Sequence, residues 1–127
     1  MTDCLDSWAV LRWLEGEDPA AGRVEAVLSD HPIMSWINLG EVSYIVERKA
    51  GAAQAKLVIR ELRRLLTLDL PTETRVLEAA AIMARHSLAY ADAFAVATAI
   101  SRGAVLLTGD PKILDSDPSW PTVDLRV

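Results

Sequence analysis

Short apolar runs alternate with longer helix-period patterns along the whole chain. Near the start, "TDCL" reads as a short strand, followed at once by Asp6-Ser7 and the apolar-periodic "WAVLRWL", where Trp8, Leu11 and Leu14 fall on one helix face. "GEDP" breaks that helix, with Pro19 placed to open a second over residues 20–28, and "HPIMSW" supplies a second strand. From Asn38 a helix runs to Ala50. Gly51 interrupts it, and "AAQAKLVIRELRRLL" follows with Leu57, Leu62, Leu65 and Leu66 spaced for an amphipathic helix, so the two form a hairpin-like pair. "LTLDLP" alternates leucine with polar residues up to Pro71 and suits a third strand, after which Thr72 is placed to cap "ETRVLEAAAIMARH". A short "SLAY" linker leads to the alanine-rich helix "ADAFAVATAISRG", stopped by Gly103; "AVLLT" is a fourth strand and "WPTVDLRV" a fifth at the C-terminal edge. Strands separated by helices throughout imply crossover connections and an α/β fold, with a mostly parallel sheet of four to five strands covered on both faces.

Composition narrows this pattern. A chain of 127 residues with 51% hydrophobic content and no repeat or low-complexity tract is expected to form one domain over residues 1–127. The single cysteine, Cys4, excludes an internal disulfide framework and a Cys/His zinc cluster, and a lone thiol fits a reducing, cytoplasmic setting. The N-terminal segment lacks a signal-peptide pattern, and no apolar run approaches the roughly 20 residues of a membrane helix, so no membrane association is expected. The net charge of −5 argues against a protein that coats nucleic acid by overall charge. Its distribution is uneven, however. Residues 48–64 hold six basic residues (Arg48, Lys49, Lys56, Arg60, Arg63, Arg64) and one acid, net +5, which leaves −10 on the remainder. A basic stripe therefore coexists with an acidic remainder, unless these cations are only a solvated helix face.

In open parallel sheets, ligands sit beyond the carboxyl ends of the strands. Asp6 directly follows the first strand, and Asp110 follows the fourth after Thr108 and Gly109. Glu41 falls in the first turn of the helix after the second strand, and Asp92 in the first turn of the helix before the fourth. Each has a local explanation. Asp6 can cap the first helix, Asn38 and Glu41 can form a capping box, Asp92 suits the positive end of a helix, and Asp110 before Pro111 is an ordinary turn residue. Four carboxylates converging in one cleft would nonetheless repel and could not all stay ionised without a cation. An oxygen-only donor set suits Mg²⁺ or Mn²⁺, with the chemistry of phosphodiester hydrolysis.

The stretches "CLDSWAVLRWL", "INLGEVSYIVERKAG" and "YADAFAVATAISRGAVLLTGDP" resemble the PIN-domain ribonucleases, specifically the VapC-type toxins of bacterial toxin–antitoxin pairs. The likeness spans essentially the whole chain. It implies a PIN-like three-layer α/β/α sandwich and a Mg²⁺-dependent endoribonuclease whose acidic quartet is Asp6, Glu41, Asp92 and Asp110. Asp6 and Asp92 match the positions most often treated as metal ligands, while Ser7 and Thr108 match polar positions flanking the site. The resemblance further implies a homodimer neutralised by a cognate antitoxin protein. The basic residues on the helix pair become candidates for holding RNA phosphates, and the apolar positions of the same helices a groove for the antitoxin or the dimer mate. Trp8 departs from the pattern, taking a place often filled by a smaller residue.

Two other classes are compatible with acids at the end of a parallel sheet. One is a response-regulator-like Mg²⁺-binding signalling domain, although the acids are not paired after the first strand and no lysine follows the last. The other is an inactive PIN-like module that only binds an antitoxin. His31 and His86 lack partner patterns for ligation or proton transfer, Ser7 lacks a glycine-flanked elbow, and the scattered glycines form no phosphate-cradling loop.

Overall fold

The computed structural model of the chain describes residues 2–116 and 119–127. The elements run β1 (Asp3–Leu5), α1 (Ser7–Glu15), α2 (Ala20–Glu25), a 3₁₀ turn (Leu28–Asp30), β2 (Ile33–Ser35), α3 (Trp36–Ala50) and α4 (Ala52–Leu65). They continue with β3 (Thr67–Asp69), α5 (Glu73–Arg85), α6 (Tyr90–Ser101), β4 (Val105–Thr108), α7 (Pro111–Leu114) and β5 (Thr122–Asp124). All five strands are parallel, in the order β3-β2-β1-β4-β5. The chain builds outward from β1 in one direction, then crosses to β4 on its other side. The switch in strand order therefore falls between β1 and β4, in register Cys4 to Leu106 and Leu5 to Leu107. This order also separates the fold from response-regulator domains, whose sheets run 2-1-3-4-5.

Successive strand residues point to opposite faces, and the two core layers follow from that alternation. Leu5, Met34 and Leu107 pack with Ala9 and Val10 of α1, Val24 of α2, Leu39 and Val42 of α3 and Leu62 of α4. Cys4, Ile33 and Leu106 enter the other layer with Ala95, Val96 and Ala99 of α6, Ile113 and Trp120. The alanine-rich helix α6 is buried along its length from Ala93 to Ala99, between the sheet and α5. Small side chains allow that close approach on several sides. Thr72 caps α5 as expected, accepting from the Arg75 amide at 3.2 Å. Among the described residues, no helix is long and apolar enough to cross a membrane.

Several boundaries differ from the sequence expectation, each for a local reason. Helix α3 starts at Trp36 because the Ser35 hydroxyl accepts from the Ile37 amide at 3.1 Å, so Asn38 lies inside the helix and is fully buried. The Asn38–Glu41 capping box does not form. Helix α4 turns Ala55, Val58, Ile59 and Leu62 inward, leaving Leu57 53% exposed. Helix α1 buries Ala9 and Val10 most completely; Trp8 and Leu11 pack at the layer's margin and Leu14 is exposed. Helix α2 is shorter than residues 20–28, ending at Glu25 before the 3₁₀ turn. His31 has a structural place: its Nδ1 lies 3.1 Å from the Leu65 carbonyl oxygen. His86 ends α5 and meets Trp120 edge-on at 4.9 Å between ring centroids.

Candidate active site

Asp6 leaves β1 at the strand-order switch, and Asp110 leaves β4 beside it. Both are helix caps. The Asp6 carboxylate accepts from the Ala9 amide at 2.9 Å to start α1, and that of Asp110 accepts from the Lys112 amide at 2.9 Å to start α7. Capping and site chemistry coincide, because a cap holds a carboxylate at a helix N-terminus, where the strand has just ended. Thr108 links the two acids: its hydroxyl donates to the second Asp6 oxygen and accepts from the Asp110 amide at 3.0 Å. Asp92 enters from the third position of α6, and Glu41 from α3, where the Ser7 hydroxyl donates to its carboxylate. Ser7 and Thr108 thus each orient one acid of the expected quartet.

Electrostatics tie these groups to one another. Asp6 is 2% exposed, and its carboxyl is pushed up to about 7, chiefly by burial. The Thr108 and Ala9 hydrogen bonds oppose the rise, while the charges of Asp92 and Asp110 add to it. Asp92 is pushed up to about 6, again first by burial, then by the charges of Asp110 and Glu41, with Lys112 partly offsetting them. Each of these two acids is thus held above its ordinary range by desolvation and by other members of the quartet. Among the described residues, no three His, Cys, Asp or Glu groups close into a ready ligand cage. The four carboxylates act on one another electrostatically without closing into a cage, and the oxygen-only set fits a hard cation that retains several waters and uses one or two carboxylates. Cys4 is no competitor. It sits in the opposite core layer, and burial pushes its thiol up to about 12.

A fifth acid gives the contrast. Asp69 ends β3 and is as buried as Asp6, but it accepts from Arg75 Nε at 2.8 Å and Nη2 at 3.2 Å, and from Arg102 Nε at 2.9 Å. Burial alone would raise its carboxyl; the two guanidiniums outweigh that and hold it below the ordinary range. Asp69 is a neutralised structural acid, and sequence reading missed it because its partners lie six and 33 residues away. Asn38 was missed for a different reason, having been assigned to a cap. Its Nδ2 donates to the Ala91 carbonyl at 3.0 Å, tying the helix that carries Glu41 to the residue before Asp92.

The six cations of residues 48–64 do not share one surface. Lys56, Arg60, Arg63 and Arg64 line a groove of about 740 Å³ along α3 and α4, with Ser43 and Glu47 opposite. Arg63 lies over the Trp36 ring, 5.4 Å from its centroid, and Arg64 pairs with Glu61 at 2.7 Å. Arg48 instead lies over Tyr44, and Lys49 pairs with Glu15 at 3.5 Å. Lys49 borders a second, mainly apolar groove of about 250 Å³, whose walls include Leu11, Leu14, Ile45, Val46 and Val58.

A fully parallel α/β sandwich with carboxylates gathered at its strand-order switch defines an acid-centred α/β domain. Residues 4–117 match the PIN domain family model, and the chain belongs to the PIN-domain family. No sequence among curated proteins matches it. Among solved structures, VapBC-1 from nontypeable Haemophilus influenzae matches over 100% of both chains at 21% identity, with a TM-score of 0.77. DNA-bound VapBC from Salmonella typhimurium matches over 98% of each chain at 18% identity and a TM-score of 0.78. VapC20 from Mycobacterium tuberculosis, a sarcin-ricin loop cleaving toxin, matches over 90% of this chain and 94% of its own, at 16% identity and a TM-score of 0.73. At these identities the likeness is one of fold.

Proposed function

We propose that this chain is a Mg²⁺- or Mn²⁺-dependent endoribonuclease acting as the VapC-type toxin of a toxin–antitoxin pair. The observation that carries this is the contrast between acids: Asp69 is neutralised by two arginines, whereas Asp6 and Asp92 are raised by burial and by neighbouring carboxylates at the strand-order switch. Asp6 and Asp92 are the residues to hold the cation, with Asp110 and Glu41 completing the cleft. When bound, the cation supplies charge stabilisation for the phosphodiester and lowers the pKa of an attacking water. Thr108 and Ser7 fix the orientations of Asp6 and Glu41. The carboxylates can in turn draw a proton from that water.

The groove of Lys56, Arg60, Arg63 and Arg64 suits the phosphates of a single-stranded or looped RNA, with Arg48 and Lys49 at the hairpin's far end. The apolar groove between α1, α3 and α4 suits a segment of the antitoxin. Several fold neighbours are VapBC toxin–antitoxin assemblies, which supports an antitoxin partner here; a homodimeric, cytoplasmic protein is part of the same proposal. A second reading, an inactive module that only binds the antitoxin, draws on the open, uncaged arrangement of the acids. One assay separates them: cleavage of structured RNA with and without Mg²⁺, by the wild type, Asp6→Asn and Asp92→Asn. Cleavage that is lost on chelation and in either variant is the expected result. Cleavage surviving chelation or both substitutions overturns the metal mechanism, and no cleavage by the metal-loaded wild type favours the inactive module.

A further inference from the structure

The residue that departs from the family pattern stands against the turn that carries Asp110. Gly109 lies between Thr108 and Asp110, and a Cβ added to it would stand 2.2 Å from Cη2 of Trp8, 2.4 Å from Cζ2 and 2.5 Å from Cζ3. Near-equal distances to three consecutive ring atoms mean that the glycine meets the face of the six-membered ring. No side chain fits in that gap. The indole is itself held: it packs against the α1–α4 core layer, and the Arg12 guanidinium lies 4.6 Å from its ring centroid. Arg12 is anchored in turn to Glu17 at 3.1 Å. Trp8 sits two residues after Asp6 on α1, and Gly109 sits one residue before Asp110 on the β4–α7 turn. The contact therefore joins the segments that carry two of the four acids, alongside the Asp6–Thr108–Asp110 hydrogen bonds.

We propose that Trp8 is a positioning residue for Asp110, its indole roofing Gly109 and locking the Thr108–Asp110 turn so that the Asp110 carboxylate faces Asp6 and Asp92. The proposal rests on the acids being a cation site and adds which residue sets the geometry of one of them. Gly109 is the most freely rotating point of a turn otherwise held by the Asp110 amide on Thr108 and the Lys112 amide on the Asp110 carboxylate, since glycine loses the most conformational freedom on ordering. With the Arg12 guanidinium against the ring and Gly109 against its outer atoms, the indole acts as packing for the turn.

The test uses Trp8→Phe, which keeps an aromatic group in the α1 packing but withdraws the outer ring atoms from Gly109. Mn²⁺ affinity is read by titration calorimetry, with the thermal midpoint of the metal-free protein measured beside it. Losses of about 10-fold or more in Mn²⁺ affinity, the usual scale for residues supporting a metal ligand, are expected without a matching fall in the midpoint. Gly109→Ala in the wild-type background is expected to weaken Mn²⁺ binding at least as much. In the Trp8→Phe background the same alanine is expected to have little further effect, because the ring it would strike has been withdrawn. If Trp8→Phe binds Mn²⁺ as the wild type does, or if Gly109→Ala is equally harmful in both backgrounds, the positioning role is wrong. Asp92→Asn is the control that isolates the underlying reading. If it leaves Mn²⁺ binding intact, or if the wild type binds no Mn²⁺, the cation site itself has failed, and the positioning role falls with it.

Discussion

Replacing Asp6 with asparagine should make the protein more stable at pH 8. Asp6 titrates from 3.8 in the unfolded chain to about 7 in the folded one, so between those values the folded state holds a proton that the unfolded state has released. Stability from this group is fully present below pH 3.8 and is lost as pH rises through 7. That difference corresponds to about 4 kcal/mol lost at pH 8. Asparagine carries no charge to desolvate and caps a helix about as well as aspartate, so the Ala9 amide keeps its acceptor. Its amide cannot accept the Thr108 hydroxyl proton that now goes to the second carboxylate oxygen, a loss of about 1–2 kcal/mol. The net gain is about 2–3 kcal/mol, on the order of 5–10 °C in Tm for a chain of this size. Urea or thermal unfolding of both proteins at pH 8 and pH 5 is the assay. The gap should favour the variant at pH 8 and shrink at pH 5. Mn²⁺ should then raise the wild-type midpoint at pH 8 by mass action and leave the variant unmoved. A destabilised variant, or a gap independent of pH, would refute the assignment of Asp6 as a carboxylate kept under strain for cation binding.

Other perturbations distinguish site from scaffold. Asp69→Asn should cost about 1.5–3 kcal/mol in urea unfolding, because Arg75 and Arg102 lose a charged acceptor while Arg75 keeps Glu78 and Arg102 is partly solvated, and the folded protein binds Mn²⁺ as before. Asn38→Leu should change stability by less than about 1 kcal/mol, since it removes an Oδ1 that has no partner among the described residues together with the donor to Ala91. Asn38→Asp should cost about 3 kcal/mol or more by turning a carboxylate toward that carbonyl in a buried position. Alanine at Lys56, Arg60 and Arg63 together should weaken RNA binding and flatten its logarithmic salt dependence by roughly 2, at about 0.7 for each lost phosphate contact. An unchanged slope would return these residues to a solvated helix face.

Much of this architecture was legible from local pattern. Apolar pairs such as Cys4-Leu5 and Leu106-Leu107 mark strands buried on both faces, and turn or cap chemistry after each one marks where the chain leaves the sheet. Asp6 and Asp110 were readable because capping places a carboxylate at the strand's carboxyl end, where a parallel sheet presents its ligands. The start of α3 was misplaced because Ser35 and Asn38 are both competent caps, and packing of Asn38 against Ala91 decides between them. The inward face of α4 was misjudged at Leu57, since spacing allows more than one stripe and only the neighbouring helix selects Ala55, Val58 and Leu62. The Asp69–Arg102 pair and the Trp8–Gly109 contact join residues 33 and 101 positions apart, and no local signal encodes either.

That the four acids serve one cation is the central claim, and anomalous diffraction from Mn²⁺-soaked crystals grown with an uncleavable RNA strand tests it most directly. The account predicts a Mn²⁺ peak at about 2 Å from oxygens of Asp6 and Asp92, on the side facing Asp110 and Glu41, with the RNA backbone passing over it. Bound RNA with no peak between these carboxylates, or with Mn²⁺ held only elsewhere on the molecule, would contradict it.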